Sequence, residues 1–246
     1  MLMSLEIIPI VVDKEIKKGD DLVKVFTSSY KGLLDGDIIV ISQKILSKQE
    51  GRLVELAGVI PSLLAVGIAT EYEKDPRLLE VILSETKRII RMENRILIAE
   101  TRHGFICANA GVDESNLPSG FAALLPENPD ASASNFHLSL QEMTGKKIAI
   151  LVADTFGRPF REGQTNCAIG AAGMKPINDY AGTTDSFGRT LRTTAIAEAD
   201  ELCGAAELVM KKTRNCPFVI IRNFDFSSSS DTAKSLIRAE KTDLFR

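Results

Sequence analysis

Two aspartates follow apolar segments that are typical of β-strands. Asp113 comes shortly after the segment 105–108, and Asp154 comes directly after the segment 148–153. Ligand sites collect at strand ends in α/β proteins, because the scaffold is rigid there and the following loop is free to vary. Two carboxylates brought together would repel each other unless a divalent cation neutralised them, and oxygen ligands suit Mg²⁺ or Mn²⁺. The alternative is that both are turn or cap aspartates, which are common after strands.

The residues that follow Asp154 are of types that bind anions such as phosphate. Thr155 adds a hydroxyl group for a metal ion or a phosphate, and Gly157 permits close approach of the backbone. Arg158 and Arg161 carry guanidinium groups whose planar shape matches phosphate oxygens. The run therefore combines a metal ligand with anion binding, although a turn with two solvated arginines would contain the same residues.

A second polar run follows the apolar segment 38–41. Ser42, Gln43 and Lys44 offer hydroxyl, amide and ammonium groups that could hold a nucleotide, or could simply begin a helix. The common nucleotide motifs are missing, because the small-residue segment 170–175 lacks the P-loop spacing and no Gly-x-Gly-x-x-Gly occurs. We therefore expect the small residues of that segment to allow tight packing.

The elements that must position these residues alternate irregularly along the chain. Periodicity and turn residues predict strands at 5–12, 38–41, 96–100, 105–108, 148–152 and 218–221. Helices are predicted at 61–70, 75–91, 136–144, 193–210 and 231–246, with a long loop at 113–133. This order predicts a mixed α/β or α+β fold with mixed sheets rather than a clean doubly wound sheet.

Composition excludes several classes of function. A formal charge of -3 argues against a general nucleic-acid binder, which relies on a basic surface. The longest apolar stretches, such as 38–41 and 63–68, are far shorter than the ~18 residues of a membrane-spanning helix. The first residues show no secretory signal, so we expect a cytoplasmic protein. Two histidines are too few for a His-rich metal site.

The spacing of the four cysteines excludes two further kinds of site. Cys107, Cys167, Cys203 and Cys216 form no C-x-x-C pair, so their spacing fits neither a zinc site nor a dense disulfide framework. We expect them to be small buried hydrophobic residues in a reducing compartment.

Several long runs of the sequence resemble the coenzyme F420-0:γ-glutamyl ligase family. The resemblance rests on ETRHGFICANAGVDESN at 100–116 and ADTFGRPFREGQTN at 153–166, with shorter similar runs at 47–52 and 236–246. These motifs occur in order along the chain, and the resemblance extends over essentially all of it. The resemblance implies one ligase domain over residues 1–246, without the nitroreductase-like domain of some members. It also implies a mixed α/β fold that forms an intertwined homodimer.

The resemblance further implies an activity and a set of site residues. The family attaches L-glutamate to coenzyme F420-0, and then to the growing γ-glutamyl tail, through an acyl phosphate formed with GTP. Asp113, Asp154 and Arg158 match catalytic positions, and Asp113, Asp154 and Thr155 match positions that bind Mg²⁺ or Mn²⁺. Positions that contact the nucleotide match Val11, Val12, Asp13, Lys14, Ser42, Gln43, Lys48 and Asn116.

One segment departs from the family pattern. Members usually carry Met-Gly-Lys-x-x-Gly-x-Pro near the nucleotide, and here Lys211 and Asn215 replace the two glycines. A glycine that lets the backbone approach a phosphate cannot be replaced freely, so the choice of GTP over ATP stays open. Two alternatives also stay open: a ligase for another amino acid or acceptor, and a catalytically silent protein that binds a deazaflavin or a nucleotide.

Overall fold

Helices and strands are mixed along the chain in the computed structural model, which describes residues 4–244. In chain order the strands are β1 (Glu6–Ile10), β2 (Ile38–Ser42), β3 (Leu53–Glu55), β4 (Thr86–Glu93), β5 (Ile96–Thr101), β6 (Ile106–Ala108), β7 (Phe121–Ala123), β8 (Ala149–Arg158), β9 (Arg161–Ala172), β10 (Asn178–Asp179), β11 (Ala195–Ile196) and β12 (Phe218–Arg222). The α-helices are α1 (Leu22–Ser29), α2 (Gln43–Glu50), α3 (Leu63–Tyr72), α4 (Pro76–Glu85), α5 (Pro129–Thr144) and α6 (Glu198–Met210). The prediction of a mixed α/β fold is confirmed.

The main sheet has five strands in the order β1-β12-β2-β8-β9. Only the pair β2 and β8 is parallel, and the other neighbouring pairs are antiparallel. It follows that β1, β2 and β8 run in one direction while β12 and β9 run in the other. The carboxyl ends of β1, β2 and β8 therefore meet the amino ends of β12 and β9 at one edge of the sheet.

Helices cover both faces of this sheet because its central strands are apolar on both sides. On one face, α1 and α5 contribute Phe26, Phe136 and Leu140 to a core that includes Ile39 and Ile150. On the opposite face, α6 packs through side chains that include Leu202, Cys203 and Ala206. The predicted tight packing of small residues is confirmed at Gly170, where a Cβ atom would lie 2.4 Å from the carbonyl oxygen of Pro129.

A second core joins α3, α4, the three-stranded sheet β4-β5-β6 and the pair β3-β7. The predicted hairpin between the strands at 96–100 and 105–108 is confirmed, since β5 and β6 pair antiparallel. The predicted loop at 113–133 is wrong in part, because β7 pairs with β3 and α5 begins at Pro129. Asn128 caps that helix by accepting a hydrogen bond from Ala131 N.

Two predicted helices are wrong in extent. The helix predicted at 75–91 ends at Glu85, and Thr86–Glu93 forms a strand that pairs with β5. Asn94 and Arg95, both at positive φ, make the connecting turn, so strand pairing overrides the apolar helical spacing. The helix predicted at 193–210 begins only at Glu198.

The C-terminal segment was predicted to be a helix at 231–246, and this is also wrong. Its described part forms two short 3₁₀ turns, Ala233–Leu236 and Glu240–Thr242, while residues 245 and 246 lie outside the described range. Ile237 packs against the core formed by the main sheet with α1 and α5, and Glu240 pairs with Arg88. These contacts hold the segment in a conformation that is not an α-helix. Within 4–244, no helix is both long and apolar enough to cross a membrane.

Candidate active site

A cleft of about 990 Å³ lies at the edge of the main sheet where β1 and β2 end and β8 continues past them. Residues 12–16 line it after β1, residues 42–45 line it after β2, and residues 153–157 line it on β8. The loop 210–217 before β12 and the segment 107–116 after β6 complete its walls. Strand direction in the main sheet brings four of these segments together, and the segment 107–116 reaches the cleft from the separate sheet β4-β5-β6.

Asp113 is held in this cleft by backbone pairing and by a lysine. Its backbone pairs with Ala123, with hydrogen bonds of 3.0 and 2.8 Å. Its Oδ2 accepts hydrogen bonds from Lys44 Nζ at 2.5 Å and from Ser115 Oγ at 2.6 Å. Burial acts to raise the pKa of Asp113, but the hydrogen bonds from Lys44 and Ser115 outweigh it and hold this pKa below its ordinary value. Asp113 is therefore an ionised carboxylate at neutral pH.

Asp154 lies near Asp113 at the point where β8 leaves the core. Burial raises the pKa of Asp154 to about 6, and the negative charge of Asp113 adds to the rise. The positive charges of Lys212 and Lys44 act in the opposite direction. The two aspartates, which are far apart in sequence, thus influence each other electrostatically, although Asp154 lies inside β8 and not after the strand end predicted at 152.

Thr155 is fixed by a network that reaches α6. Its hydroxyl donates to Asn166 Oδ1 at 2.6 Å and accepts a hydrogen bond from Lys212 Nζ. Asn166 Nδ2 donates to Glu207 Oε2 at 3.3 Å, and Lys212 lies 3.6 Å from the other oxygen of Glu207. The hydroxyl group lines the cleft, and its hydrogen bonds to Asn166 on β9 and to Lys212 just after α6 set its position.

The side chains present fit a metal ion that arrives with a nucleotide. Within residues 4–244, no three His, Cys, Asp or Glu side chains are grouped so that they could hold a metal ion by themselves. Asp113, Asp154 and Thr155 supply two carboxylates and a hydroxyl. Mg²⁺ in phosphate-transfer sites commonly uses one or two carboxylates and takes its other ligands from phosphates and water. A closed protein cage is therefore not required here.

Lysines give the cleft a positive wall. The ammonium-bearing residues that line it are Lys14, Lys44, Lys48, Lys211 and Lys212. Lys44 also donates to the carbonyl oxygen of Ser115 at 2.7 Å, and Lys14 pairs with Asp20 at 2.6 Å. The cleft is also lined by five carboxylates, those of Asp13, Glu15, Asp113, Asp154 and Glu207. Ammonium groups and carboxylates together suit a polyphosphate chain that carries a divalent cation.

Seven of the eight residues predicted to contact the nucleotide line the cleft: Val12, Asp13, Lys14, Ser42, Gln43, Lys48 and Asn116. Val11 does not line it, and its side chain is exposed next to the buried Val12. The structure thus brings seven of the eight residues to the same cleft. The contact of each with a nucleotide stays a prediction.

The structure does not bring Arg158 to the cleft. Its guanidinium group donates to the carbonyl oxygens of Glu162 and Gly163, among the first residues of the neighbouring strand β9. Arg161, the first residue of β9, also lies outside the set of lining residues. The catalytic role predicted for Arg158 stays a prediction that the described chain does not support by contact.

Known proteins of similar sequence identify the family of this chain. The family model described as F420-0:Gamma-glutamyl ligase matches residues 11–223. The chain belongs to the F420-0:gamma-glutamyl ligase family. It is 46% identical over 235 residues to the coenzyme F420:L-glutamate ligase of Methanothermobacter thermautotrophicus, covering 93% of each chain.

Two further relatives carry the same name. The chain is 42% identical over 213 residues to the coenzyme F420:L-glutamate ligase of Methanocaldococcus jannaschii, covering 86% of this chain and 85% of the relative. It is 40% identical over 250 residues to that of Methanopyrus kandleri, covering 100% and 99% of the two chains. The family resemblance predicted from the motifs is confirmed.

The departure from the family pattern lies in the cleft wall. Lys211 has a φ of 49° and Asn215 a φ of 48°, so both residues that replace the expected glycines adopt left-handed backbone conformations. Lys211 combines this φ with a ψ of 170°, a region that is essentially confined to glycine. The loop thus has the backbone conformation that a glycine-containing loop would adopt, at a cost in strain of about 1–3 kcal/mol for such a residue.

Four residues that organise the site were not predicted from the motifs. Lys44 was noted only within the polar run after β2, and its pairing with Asp113 depends on tertiary structure. Lys212, Asn166 and Glu207 form the network around Thr155. Asn166 closes the second long motif, and this was the only signal for it in the sequence.

Proposed function

We propose that this chain is a ligase that joins L-glutamate to coenzyme F420-0, and then to its γ-glutamyl tail, with GTP and Mg²⁺ or Mn²⁺. The observation that carries this proposal is the pair Asp113 and Asp154 in a lysine-lined cleft of a family member. The 46% identity to a coenzyme F420:L-glutamate ligase supports the acceptor and the amino acid. The cleft supports the use of a nucleotide with a divalent cation.

The reaction proceeds in two steps. A carboxylate oxygen of the acceptor forms a bond to the γ-phosphorus of GTP while the bond from that phosphorus to GDP breaks, which gives an acyl phosphate. The amine of glutamate then attacks the carbonyl carbon, phosphate leaves, and the nitrogen loses a proton. Because such transfers need positioning and charge neutralisation more than covalent help, a cleft of fixed charges is suited to both steps.

In this scheme the lysines of the cleft bind phosphate, and the two aspartates with Thr155 bind the metal ion. Lys14, Lys44 and Lys48 hold the phosphate chain, and the Lys212 ammonium lies beside Thr155, where charge develops on the transferred group. Asp113, Asp154 and Thr155 would hold the divalent cation, which supplies Lewis-acid neutralisation of the phosphate oxygens when bound.

Phosphate release tests this proposal. The protein is mixed with GTP, Mg²⁺, F420-0 and glutamate, and each component is omitted in turn. Release only in the full mixture supports the ligase, and replacement of GTP by ATP measures the nucleotide preference. Turnover with a different amino acid or acceptor would instead identify another ligase, and binding without turnover would indicate a silent binding protein.

We also propose that the chain forms a homodimer. The outward face of α3 and the residues before it are apolar, and Ile60 and Leu63 are 89% and 92% exposed. A partner subunit is one way in which such a surface is covered. The apolar segment 121–125 gives no support for a dimer, since Ala122, Ala123 and Leu125 are buried within the chain itself. A monomer in light scattering at micromolar concentration would contradict the dimer.

A further inference from the structure

The chain between β6 and Asp113 makes a left-handed turn. Asn109, Ala110 and Gly111 have φ values of 53°, 51° and 75°, so three consecutive residues adopt positive φ. The N–H of Val112 donates to the carbonyl oxygen of Asn109 at 2.9 Å and closes the turn. Asparagine and glycine adopt this conformation readily, whereas the Cβ atom of alanine crowds the following carbonyl oxygen. Strained backbone of this kind persists only where its surroundings hold it, and it is concentrated at functional sites.

Two residues of the turn are held by packing between two hydrophobic cores. Ala110 is 2% exposed and belongs to the second core, together with residues of α3 and α4. A Cβ atom at Gly111 would lie 2.7 Å from Cγ of Leu125, which belongs to the core between the main sheet and α5. Asn109, the first residue of the turn, is held differently, by a hydrogen bond to its side chain.

Lys74 donates that hydrogen bond. Its Nζ lies 3.3 Å from Oδ1 of Asn109, although the two residues are 35 positions apart in the sequence. The backbone of Lys74 is fixed between α3 and α4, because its N–H donates to the carbonyl oxygen of Ala69 at 3.0 Å. Burial lowers the pKa of Lys74, and within residues 4–244 no carboxylate forms an ion pair with it. Because partial desolvation of a charge costs energy, a role in a site explains such a lysine better than stability does.

Asp113 follows the turn after one further residue. Its N–H donates to the carbonyl oxygen of Ala123 at 3.0 Å, and its carboxylate lines the cleft. Asn109 and Gly111 line the same cleft, whereas Lys74 lies outside the set of lining residues. A shift of Asn109 would change the direction in which the chain enters its pairing with Ala123, and with it the position of the Asp113 carboxylate.

We propose that Lys74 is a positioning residue that holds the left-handed turn 109–111 and, through it, the carboxylate of Asp113; its effect on the reaction rests on the metal site proposed above. Residues that orient a metal ligand without touching the metal lower metal affinity when they are replaced. Lys74 thus connects the connection between α3 and α4 to the cleft.

Hydrogen exchange in the ligand-free, full-length protein tests the hold on the turn. Lys74→Met removes the donor and keeps most of the length of the side chain, whereas Lys74→Arg keeps a donor. We expect the amides of Val112 and Asp113 to exchange about tenfold faster in Lys74→Met, and within about twofold of the native rate in Lys74→Arg. Ile82→Val, which removes one buried carbon atom from the same core, is the control for general loosening. Unchanged exchange in Lys74→Met, or an equal effect of Ile82→Val, overturns the proposal.

Binding of Mn²⁺ tests whether the turn acts on the cleft. With GTP present, we expect Lys74→Met to weaken Mn²⁺ binding by about tenfold, as measured by electron paramagnetic resonance. Asn109→Gly keeps a residue that accepts positive φ and removes the hydrogen-bond acceptor. In this background Lys74→Met should have less than about a twofold effect, because its partner is already absent. Equal effects of Lys74→Met in the two backgrounds would show that Lys74 does not act through Asn109, and this result overturns the proposal.

The unmodified protein separates this proposal from the function on which it rests. Absence of Mn²⁺ binding to the unmodified protein in the presence of GTP refutes the proposed metal site, and the role of Lys74 in it. Binding that Lys74→Met leaves unchanged refutes the role of Lys74 alone. Circular dichroism checks that every variant is folded.

Discussion

The ammonium group of Lys44 lies 2.5 Å from Oδ2 of Asp113, although the two residues are 69 positions apart in the sequence. Lys44 lies in the first turn of α2, directly after β2, and Asp113 lies in the segment that pairs with β7. The contact therefore joins the main sheet to the second core at the cleft. It places a positive charge beside a carboxylate that would otherwise repel a polyphosphate.

Replacing Lys44 should weaken nucleotide binding more than it weakens the fold. We expect Lys44→Met to raise KM for GTP by about tenfold or more, since a phosphate-facing charge is lost. Asp113 is 43% exposed, so loss of this ion pair should change the free energy of unfolding by less than about 1 kcal/mol. Steady-state kinetics and urea unfolding measure the two effects. Lys24→Met, which changes an exposed side chain on α1, is the control, and equal effects on KM in both variants would contradict the role of Lys44.

The buried ion pair Asp37–Arg222 should matter for stability and not for catalysis. Asp37 is fully buried, and both of its oxygens accept hydrogen bonds from Arg222, at 2.8 and 2.7 Å. Asp37→Ala removes the carboxylate partner of Arg222, whose guanidinium group is 17% exposed and also donates to the carbonyl oxygen of Gly32, so we expect a loss of about 1–3 kcal/mol in the free energy of unfolding. Asp35→Ala, two residues away and exposed, should cost under about 1 kcal/mol. Similar costs in the two variants would show that burial of the pair contributes little.

Close backbone packing at Gly170 predicts that alanine is not tolerated there. A Cβ atom would overlap the carbonyl oxygen of Pro129 at the start of α5, so Gly170→Ala should lower the free energy of unfolding by about 1–3 kcal/mol. Gly204 lies inside α6, where the nearest atom to a Cβ would be 3.9 Å away. Gly204→Ala should therefore stabilise the protein, by up to about 1 kcal/mol. Thermal unfolding of both variants checks the opposite signs.

The cysteines should react slowly in the folded protein. Burial raises the pKa of Cys107 to about 12, with a further contribution from Asp154, and raises that of Cys167 to about 11. Because the thiolate is the reactive form and both values lie far above pH 8, few of these thiols are ionised there. We expect reaction with a disulfide reagent at pH 8 to be slower by about 100-fold or more than after unfolding in urea. Rapid modification of four thiols in the native protein would contradict the burial described here.

The sequence located the segments that carry the two aspartates but placed the end of one strand too early. The strand was predicted at 148–152, whereas β8 continues to Arg158 and Asp154 lies inside it, paired with Cys167 of β9. The apolar run indicates only the part of β8 that pairs with β2, and the continuation depends on pairing with β9. The helix predicted at 75–91 failed because the apolar spacing around Ile89 and Ile90 suits a helix as well as a strand. Only the partner strand β5 decides between them.

The contacts that organise the site depended on tertiary structure and could not be predicted. Nothing near Lys44 in the sequence indicates that it reaches Asp113, or that Lys212 reaches Thr155. Arg158 was placed in the site by its neighbours in the motif, whereas its side chain turns back to the carbonyl oxygens of its own hairpin. Local spacing thus identified the segments of the cleft but not which side chains meet there.

Binding of Mn²⁺ to the Asp154→Asn variant tests most directly whether Asp113 and Asp154 share a divalent-cation site. The substitution keeps the shape of the side chain and removes its charge, and Asp231→Asn, which is exposed and outside the cleft, is the matched control. Free Mn²⁺ is measured by electron paramagnetic resonance in the presence of GTP, and circular dichroism checks the fold. We expect the variant to remain folded, to bind Mn²⁺ at least about tenfold more weakly, and to lose orders of magnitude in turnover, with partial recovery at high Mn²⁺. A folded variant with unchanged Mn²⁺ affinity and full activity would contradict the shared site.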